Sequence, residues 1–567
     1  MNTPSEYRRR SLRATRVPTS YRALRLSEQP YRVPQELDLD RLTQLVAARR
    51  ASAEDHLWLL RDDPNYFIHN LRDEKEQMFE ALSCEGRWIM AAGSMVKDGL
   101  LYFLILDKLY RQLKDMPSLQ SQFKDADCAC FRFPESTEEL WATFDELVDL
   151  MLELPCVKLA QGFKSSPRMR HYYNETDDSK RSPFKKYAPK SNSPETARRV
   201  NLIFHSIINI DQRYLHGPDR LVQEAQYMLD TEQASSDLVD FWLREHFCNL
   251  AFLSELRVCI DKFQPWASVW EASGMKNSKA VEECVAGFLT SVSSYAVSIE
   301  QVCGTIEGFC DPTSSQWRNP IDKRLSKENN DQMQRAERHL DSFWNDLDAG
   351  MSAATCGRSV KTISEEQSLQ PRVPCHRTPA WKEENAPSKQ EVETQTYSGF
   401  GEIHINRAHV PECEVSKTAS DKAKLKTRGV SGPNGGVAAA IARMPEADEG
   451  LSSHRVKVAK RTFKVMSALL PPPTVEYHQR IEIAWDEFLH AMNAIGLEPE
   501  NLYGSVWMFQ PLKHGPLQGK LWLKRSIQFH GPKEVGKGNK IPAHMVRAFG
   551  RRLKHAYGWK DGMFVCG

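Results

Sequence analysis

Apolar positions recur at helical spacing through most of the first 350 residues and change to strict alternation only near the carboxyl end. Leu42, Leu45 and Val46, and then the run from Arg87 to Leu113, have the three-and-four spacing of helices that bury one face. A second helical block opens at Ser193-Pro194-Glu195, where a hydroxyl placed to cap and a proline in the first turn predict a helix start. Beyond it Phe252, Leu256, Cys259, Ile260 and Phe263 form one apolar stripe, and Val285, Phe288, Leu289, Val292, Ala296, Ile299 and Cys303 form another. Strand signals are nearly absent from 195 to 350. The pattern predicts an all-α region at 195–350 packing with a helical region at 35–157.

Toward the carboxyl end the period changes. Ile481, Trp485, Phe488, Leu489 and Met492 predict an amphipathic helix that stops near Gly496. In YGSVWMFQP, Val506 and Met508 alternate with Trp507 and Phe509. Leu521, Leu523, Arg525, Ile527 and Phe529 alternate with Trp522, Lys524, Ser526, Gln528 and His530. These predict an antiparallel strand pair joined by HGPLQGK, whose glycines and proline supply turn chemistry. The preceding LEPENLY carries no strand pattern. Pro542 opens a second helix, IPAHMVRAFGRRLKHAYGW, with Val546, Phe549, Leu553 and Ala556 on the face toward the sheet. His544, Arg547, Arg551 and Lys554 line its other side. Gly550 marks a close backbone approach, and Gly558 a helix stop.

The remaining segments are polar. Residues 1–34 predict a disordered basic tail, 158–194 a polar basic linker or loop, and 351–472 a disordered linker that includes GPNGG at Gly432 to Gly436. Such stretches bury too little apolar surface to offset the entropy of ordering them. The expected fold class is α+β and multi-domain: a mostly α-helical N-terminal region, a disordered linker, and a small αβ module at 473–567 built as helix, antiparallel strands and helix.

Composition narrows the function classes. A chain of 567 residues with 41% hydrophobic and 26% charged positions and a formal net charge of +2 is that of a soluble protein of several domains. Its 13 cysteines show no CxxC, which predicts packed core thiols in a reducing compartment and argues against zinc. MNTPSEYRRRSLRATR leads into no apolar core of a signal peptide. The run WIMAAGSMVKDGLLYFLIL is interrupted by Lys97 and Asp98 short of a bilayer span. The expectation is an intracellular protein, of nucleus or cytoplasm, with no membrane contact, metal or cofactor. Basic clusters at Lys180 to Lys186 and Arg455 to Lys464 would suit nuclear import.

Several motifs admit chemistry but read more simply as structure. In HLWLLRDDPNYFIHN, Asp62-Asp63-Pro64 predicts a helix-ending turn, since the residue before proline is pushed out of the helical region and no third ligand stands at helical spacing. Trp242 with His246, and Cys375-His376, read as packed residues. The stretch SIQFHGPKEVGKGNK imitates a P-loop, with Gly531 and then Gly536-Lys537. A P-loop needs a hydroxyl after the lysine, and Gly538 stands there; too little chain follows for the remaining parallel strands. From Lys513 onward there are instead 12 Lys and Arg against only Glu534 and Asp561. A glycine-rich basic loop beside a basic helix predicts contact with the phosphates of RNA or DNA. The residues expected to make it are Lys533, Lys537, Lys540, Arg547, Arg551, Arg552 and Lys554. The helical region is expected to serve protein contacts, with an unknown partner.

The series GSVWMF, RSIQFHGP and RRLKHAYGW, together with the stretch from Leu60 to Phe67, resembles an uncharacterised filamentous-fungal protein family. Its C-terminal segment is similar to the HicA toxin domain, an α-β-β-β-α fold related to the double-stranded-RNA-binding domain. The resemblance covers about 90 C-terminal residues and one short N-terminal motif. It implies an RNA-directed module. HicA toxins cleave messenger RNA with a histidine after Gly-Ser on the central strand, whereas Val506 follows Gly504-Ser505 here. His530 is then the one candidate acid or base. The expectation is a non-enzymatic nucleic-acid binder. The alternatives are a degenerate HicA-like ribonuclease, or a scaffold that makes no nucleic-acid contact.

Overall fold

The computed structural model describes residues 38–77, 84–116, 135–175, 187–262, 279–306, 314–321, 323, 326–369, 372, 375, 377–381, 455–471, 482–503, 505–512, 521, 523, 525–531 and 540–567. The N-terminal tail 1–37, the stretch 382–454 and Lys533 and Lys537 lie outside the described residues.

The first helix, α1 (Leu39–Asp62), starts where the Asp38 side chain accepts the Arg41 amide at 2.8 Å. It ends as the Asp-Asp-Pro motif predicts. Asp63 is extended, and its carboxylate caps α2 (Pro64–Glu76) by accepting the amides of Asn65 at 3.0 Å and Tyr66 at 3.3 Å. Two long helices follow, α3 (Cys84–Asp115) and α4 (Glu135–Gly162). α3 has a window of mean hydropathy 1.6, long and apolar enough by composition to cross a membrane. In the fold its apolar side chains, among them Ala92, Val96, Leu100 and Phe103, are buried against α1, α2, α4 and the later helix Lys279–Cys303.

Residues 158–194 are not simply a linker. α4 runs on to Gly162, and a short antiparallel ladder pairs β1 (Tyr173–Glu175) with β2 (Tyr187–Pro189). α5 (Glu195–Ile208) begins where expected, but without the expected cap: Ser193 Oγ donates to the carbonyls of Tyr172 and Lys190. α6 (Ile210–His216), α7 (Pro218–Thr231), the single turn α8 (Gln233–Ser236), α9 (Phe241–Lys262), α10 (Lys279–Cys303) and α11 (Lys327–Ala354) complete the helical region. A further helix, α12 (Val360–Gln367), starts on a Ser359/Thr362 capping box inside the segment expected to be a linker.

Two apolar cores result. One gathers Leu42, Trp141, Phe144, Phe204 and Phe252; the other gathers Phe67, Phe103, Phe343 and Trp344. Of the eight cysteines found as free thiols among the described residues, Cys156, Cys248 and Cys303 are buried. Cys284, Cys356 and Cys566 are exposed, so packing does not account for them.

The C-terminal αβ unit begins earlier than its periodicity indicates. β3 (Val456–Val458) pairs in parallel with the final strand β9 (Phe564–Cys566), and α13 (Lys460–Leu469) follows it. Then come β4 (Ile483–Ala484), α14 (Trp485–Ala494), β5 (Leu497–Tyr503), β6 (Val506–Pro511), β7 (Ile527–His530), β8 (Lys540–Ile541) and α15 (Ala543–Tyr557). The central sheet is antiparallel in the order β5-β6-β7, and β4 pairs with β8. LEPENLY is therefore a strand. Its Pro499 is tolerated because β5 lies at the edge of the sheet, paired among the described residues with β6 alone. Gly550 is required where α15 crosses the end of α13: a Cβ there would stand 2.0 Å from the Leu469 carbonyl oxygen. Gly558 closes α15 in the left-handed conformation, φ 67°.

Helical region and αβ unit form one compact unit, and the sheet joins them. Phe509 and Phe529 pack with Phe488 and Phe549 in the αβ unit's own core. Val506 and Met508, both fully buried, belong instead to the core of the helical region. Nothing in the alternation of apolar residues foretold that cover.

Candidate functional site

The basic helix α15 meets α1 along the seam between helical region and αβ unit, and here two of the seven expected phosphate-binding residues, Arg551 and Arg552, find their partners. Arg552 is buried and donates from Nε to Asp55 Oδ2 at 2.8 Å, with its guanidinium 4.8 Å from the centre of the Phe529 ring. His555 Nδ1 lies 3.4 Å from the other oxygen of Asp55. Burial pushes the Asp55 carboxyl up, but His555 and Arg552 more than offset this and hold it below the ordinary range. Arg551 Nη1 lies 3.2 Å from Asp63 Oδ2, so the carboxylate that caps α2 also anchors α15. Burial disfavours the charged form of Arg551, and Asp63 more than restores it.

The other expected contacts are dispersed. Lys554 pairs with Asp561 at 2.6 Å, within the αβ unit. Lys540 is exposed on β8, 3.5 Å from Glu482. Arg547 is half-buried on α15. Of the seven residues expected to form one anion-binding stripe, the five that are described thus do not stand together on an open face. Arg551 and Arg552 turn to the helical region, Lys540 and Lys554 to acids of their own unit, and the two loop lysines lie outside the described residues. At the far end of the seam, Arg41 clasps Glu500 of β5 through both carboxylate oxygens, at 2.6 and 2.8 Å.

His530 stands at the end of β7. Its Nδ1 is 3.3 Å from Ser505 Oγ and its Nε2 is 3.5 Å from Arg49 Nη1 of α1. Arg49 also donates to Asn249 of α9. Beside them His56 bonds Tyr66 through Nδ1 at 2.8 Å. Burial lowers both imidazoles, His530 to about 3 and His56 to about 4, and the cations Arg49 and Arg552 push each in the same direction. These rings are neutral at physiological pH. His530 is accordingly a poor proton donor as it stands, and a helix of another region covers it.

Further into the helical region, Lys158 lies between Glu74 and Asp98, and Glu74 also accepts Trp242 Nε1 at 2.7 Å and Ser94 Oγ at 2.7 Å. His246 meets the Trp242 ring edge-on with centroids 4.2 Å apart, and burial and then Lys158 lower it to about 3. It is packed against its neighbour as expected, although its Nδ1 has no hydrogen-bond partner. Cys375 is half-buried near the Asp62 carbonyl, and His376 lies outside the described residues. Among the described residues, no group of three or more His, Cys, Asp and Glu is arranged to hold a metal ion.

The neutral histidines carry a pH consequence. The unfolded chain protonates histidine near pH 6.5, whereas His56, His246 and His530 resist until about 4, 3 and 3. Each therefore withdraws stability as pH falls below about 6.5, down to its own folded value. We expect the nitrogen resonances of these three rings to remain those of neutral imidazole at pH 5; protonated signals there would contradict the burial described.

What fold and site define is a helical protein with a small αβ unit, joined by ion pairs of which Arg552–Asp55 is buried. No family model, no curated protein and no solved structure matches the chain.

Proposed function

We propose that the protein is a non-enzymatic scaffold in which the basic helix α15 serves to dock the αβ unit on the helical region. The observation that carries this reading is that Arg551 and Arg552 are matched by Asp63 and Asp55 of the same chain. Arg552 is buried, paired and hydrogen-bonded, and cannot turn to a nucleic-acid phosphate without leaving Asp55 uncompensated. The helix, three antiparallel strands and helix of the αβ unit support kinship with the HicA and double-stranded-RNA-binding folds. In this reading that ancestry persists as architecture: Val506 replaces the cleaving histidine, and His530 is engaged by Arg49 and Ser505. Exposed Leu202, Leu215 and Tyr227, on α5, α6 and α7, which pack on one another, support protein contacts through the helical region.

The test is duplex-RNA binding and cleavage by the full chain across salt. The scaffold reading expects weak binding with a shallow salt dependence, little changed by Lys540→Glu or Arg547→Glu, and no cleavage. A protein neutralising six or more phosphates would lose about a thousandfold in affinity between 50 and 200 mM salt. Tight binding with such a slope, lost in those two variants, would establish the nucleic-acid reading instead; cleavage abolished by His530→Ala would establish the ribonuclease.

A further inference from the structure

Among the described residues, two guanidiniums of the seam have donors that no carboxylate hydrogen-bonds. Arg49 is only 7% exposed, and among the described residues its hydrogen bonds run to the Asn249 amide oxygen and the His530 ring, neither of them anionic. Arg552 is 8% exposed and shares Asp55 with His555; its Nη2 is buried with no hydrogen-bond partner. One half-buried imidazole stands on each side, His56 on α1 and His530 on β7, and both feel the charge of both arginines. With Nδ1 engaged by Tyr66, His56 packs its Cδ2–Nε2 edge against α3, where a Cβ at Gly99 would come within 3.3 Å of Cδ2 and 3.6 Å of Nε2.

A buried cation whose donors are only partly answered is costly, and guanidinium answers a tetrahedral or planar oxyanion with paired hydrogen bonds. The geometry points to a binding site in this seam for a small phosphate group, free or as a monoester, held by Arg49 and Arg552 with His56 and His530 beside it. The remaining charged and titratable groups around it are Asp55 and His555, Tyr66 of α2, Tyr102 of α3 and Glu245 of α9. Burial, foremost, raises the Glu245 carboxyl, while the charge of Arg49 draws it back down. An anion there would tie helical region and αβ unit together, so the inference extends the scaffold reading without depending on it.

The probes are inorganic phosphate and adenosine monophosphate at millimolar concentration, with sodium chloride at equal ionic strength as the control. The full chain should unfold at higher temperature with phosphate or the nucleotide than with chloride. Arg49→Gln should lower the affinity roughly tenfold or more, the worth of a charged hydrogen bond, while Arg49→Lys retains part of it. A larger response to the nucleotide than to phosphate identifies an ester as the ligand; equal responses identify the free ion. Calorimetric titration of the unaltered chain supplies a readout that does not depend on any variant folding: phosphate should bind saturably at one site per chain, and chloride should not. Equal thermal shifts with phosphate and chloride, an Arg49→Gln protein that responds as the unaltered one does, or no saturable heat of binding would overturn the site.

Discussion

Replacing Asp55 with alanine should cost about 3 to 5 kcal/mol of folding stability in urea titration of the full chain, the loss usual when one member of a buried ion pair is removed. The reason is asymmetric. Asp55 adds little by being there, since bringing it and Arg552 out of water consumes most of their attraction. Its removal leaves Arg552 buried, with Nε unpaired and Nη2 already without a partner, and leaves His555 facing nothing. The double replacement Asp55→Leu with Arg552→Leu should therefore recover most of the loss, because neither charge is then stranded. A single variant at wild-type stability, or a double variant no better than the single, would show that the seam is not closed around this pair.

Arg257→Met should be as damaging, within the helical region alone. Arg257 of α9 donates to Asp145 at 2.5 Å and Asp149 at 3.0 Å of α4, and through Nε and Nη2 to Asp261 at 3.0 and 2.8 Å. All four side chains are nearly excluded from solvent. Burial disfavours the guanidinium charge, and Asp145, Asp261 and Asp149 together more than restore it. Methionine fills much of the volume but leaves three carboxylates facing one another, and a loss of about 3 to 5 kcal/mol is expected. Arg257→Lys keeps the charge yet cannot present the planar fork, so its loss should be smaller but measurable by the same titration. An unaltered midpoint in Arg257→Met would mean that the cluster contributes nothing.

The seam explains why so much of the αβ unit was legible in the sequence and its role was not. Alternation from Val506 to Phe509 and the faces of the helix after Pro542 are local signals, and β6 and α15 stand where they place them; the second strand, expected from Leu521, starts only at Ile527, and the turn expected before it lies outside the described residues. LEPENLY was illegible because Glu498, Pro499 and Glu500 suppress the strand pattern, and only edge position makes them acceptable. The charge of α15 was equally plain, but its partners stand 497 residues away in the case of Asp55, and no local pattern reports a contact of that range. Asp63 was rightly read as part of a helix-ending turn; its second oxygen, turned to Arg551, is a property of the tertiary fold. A basic stripe in sequence thus has two physical outcomes, an open anion-binding face or a buried match to acids elsewhere in the chain. Burial separates them, and sequence does not display it.

The most direct measurement is to place a specific protease site within Gly432 to Gly436 of the full chain, cleave it, and follow the two pieces by gel filtration at high salt. Buried ion pairs and the Val506 and Met508 contact resist screening, so the pieces should elute together and unfold in one transition. Separate elution, with the C-terminal piece folded and free, would contradict the docking of the αβ unit on the helical region.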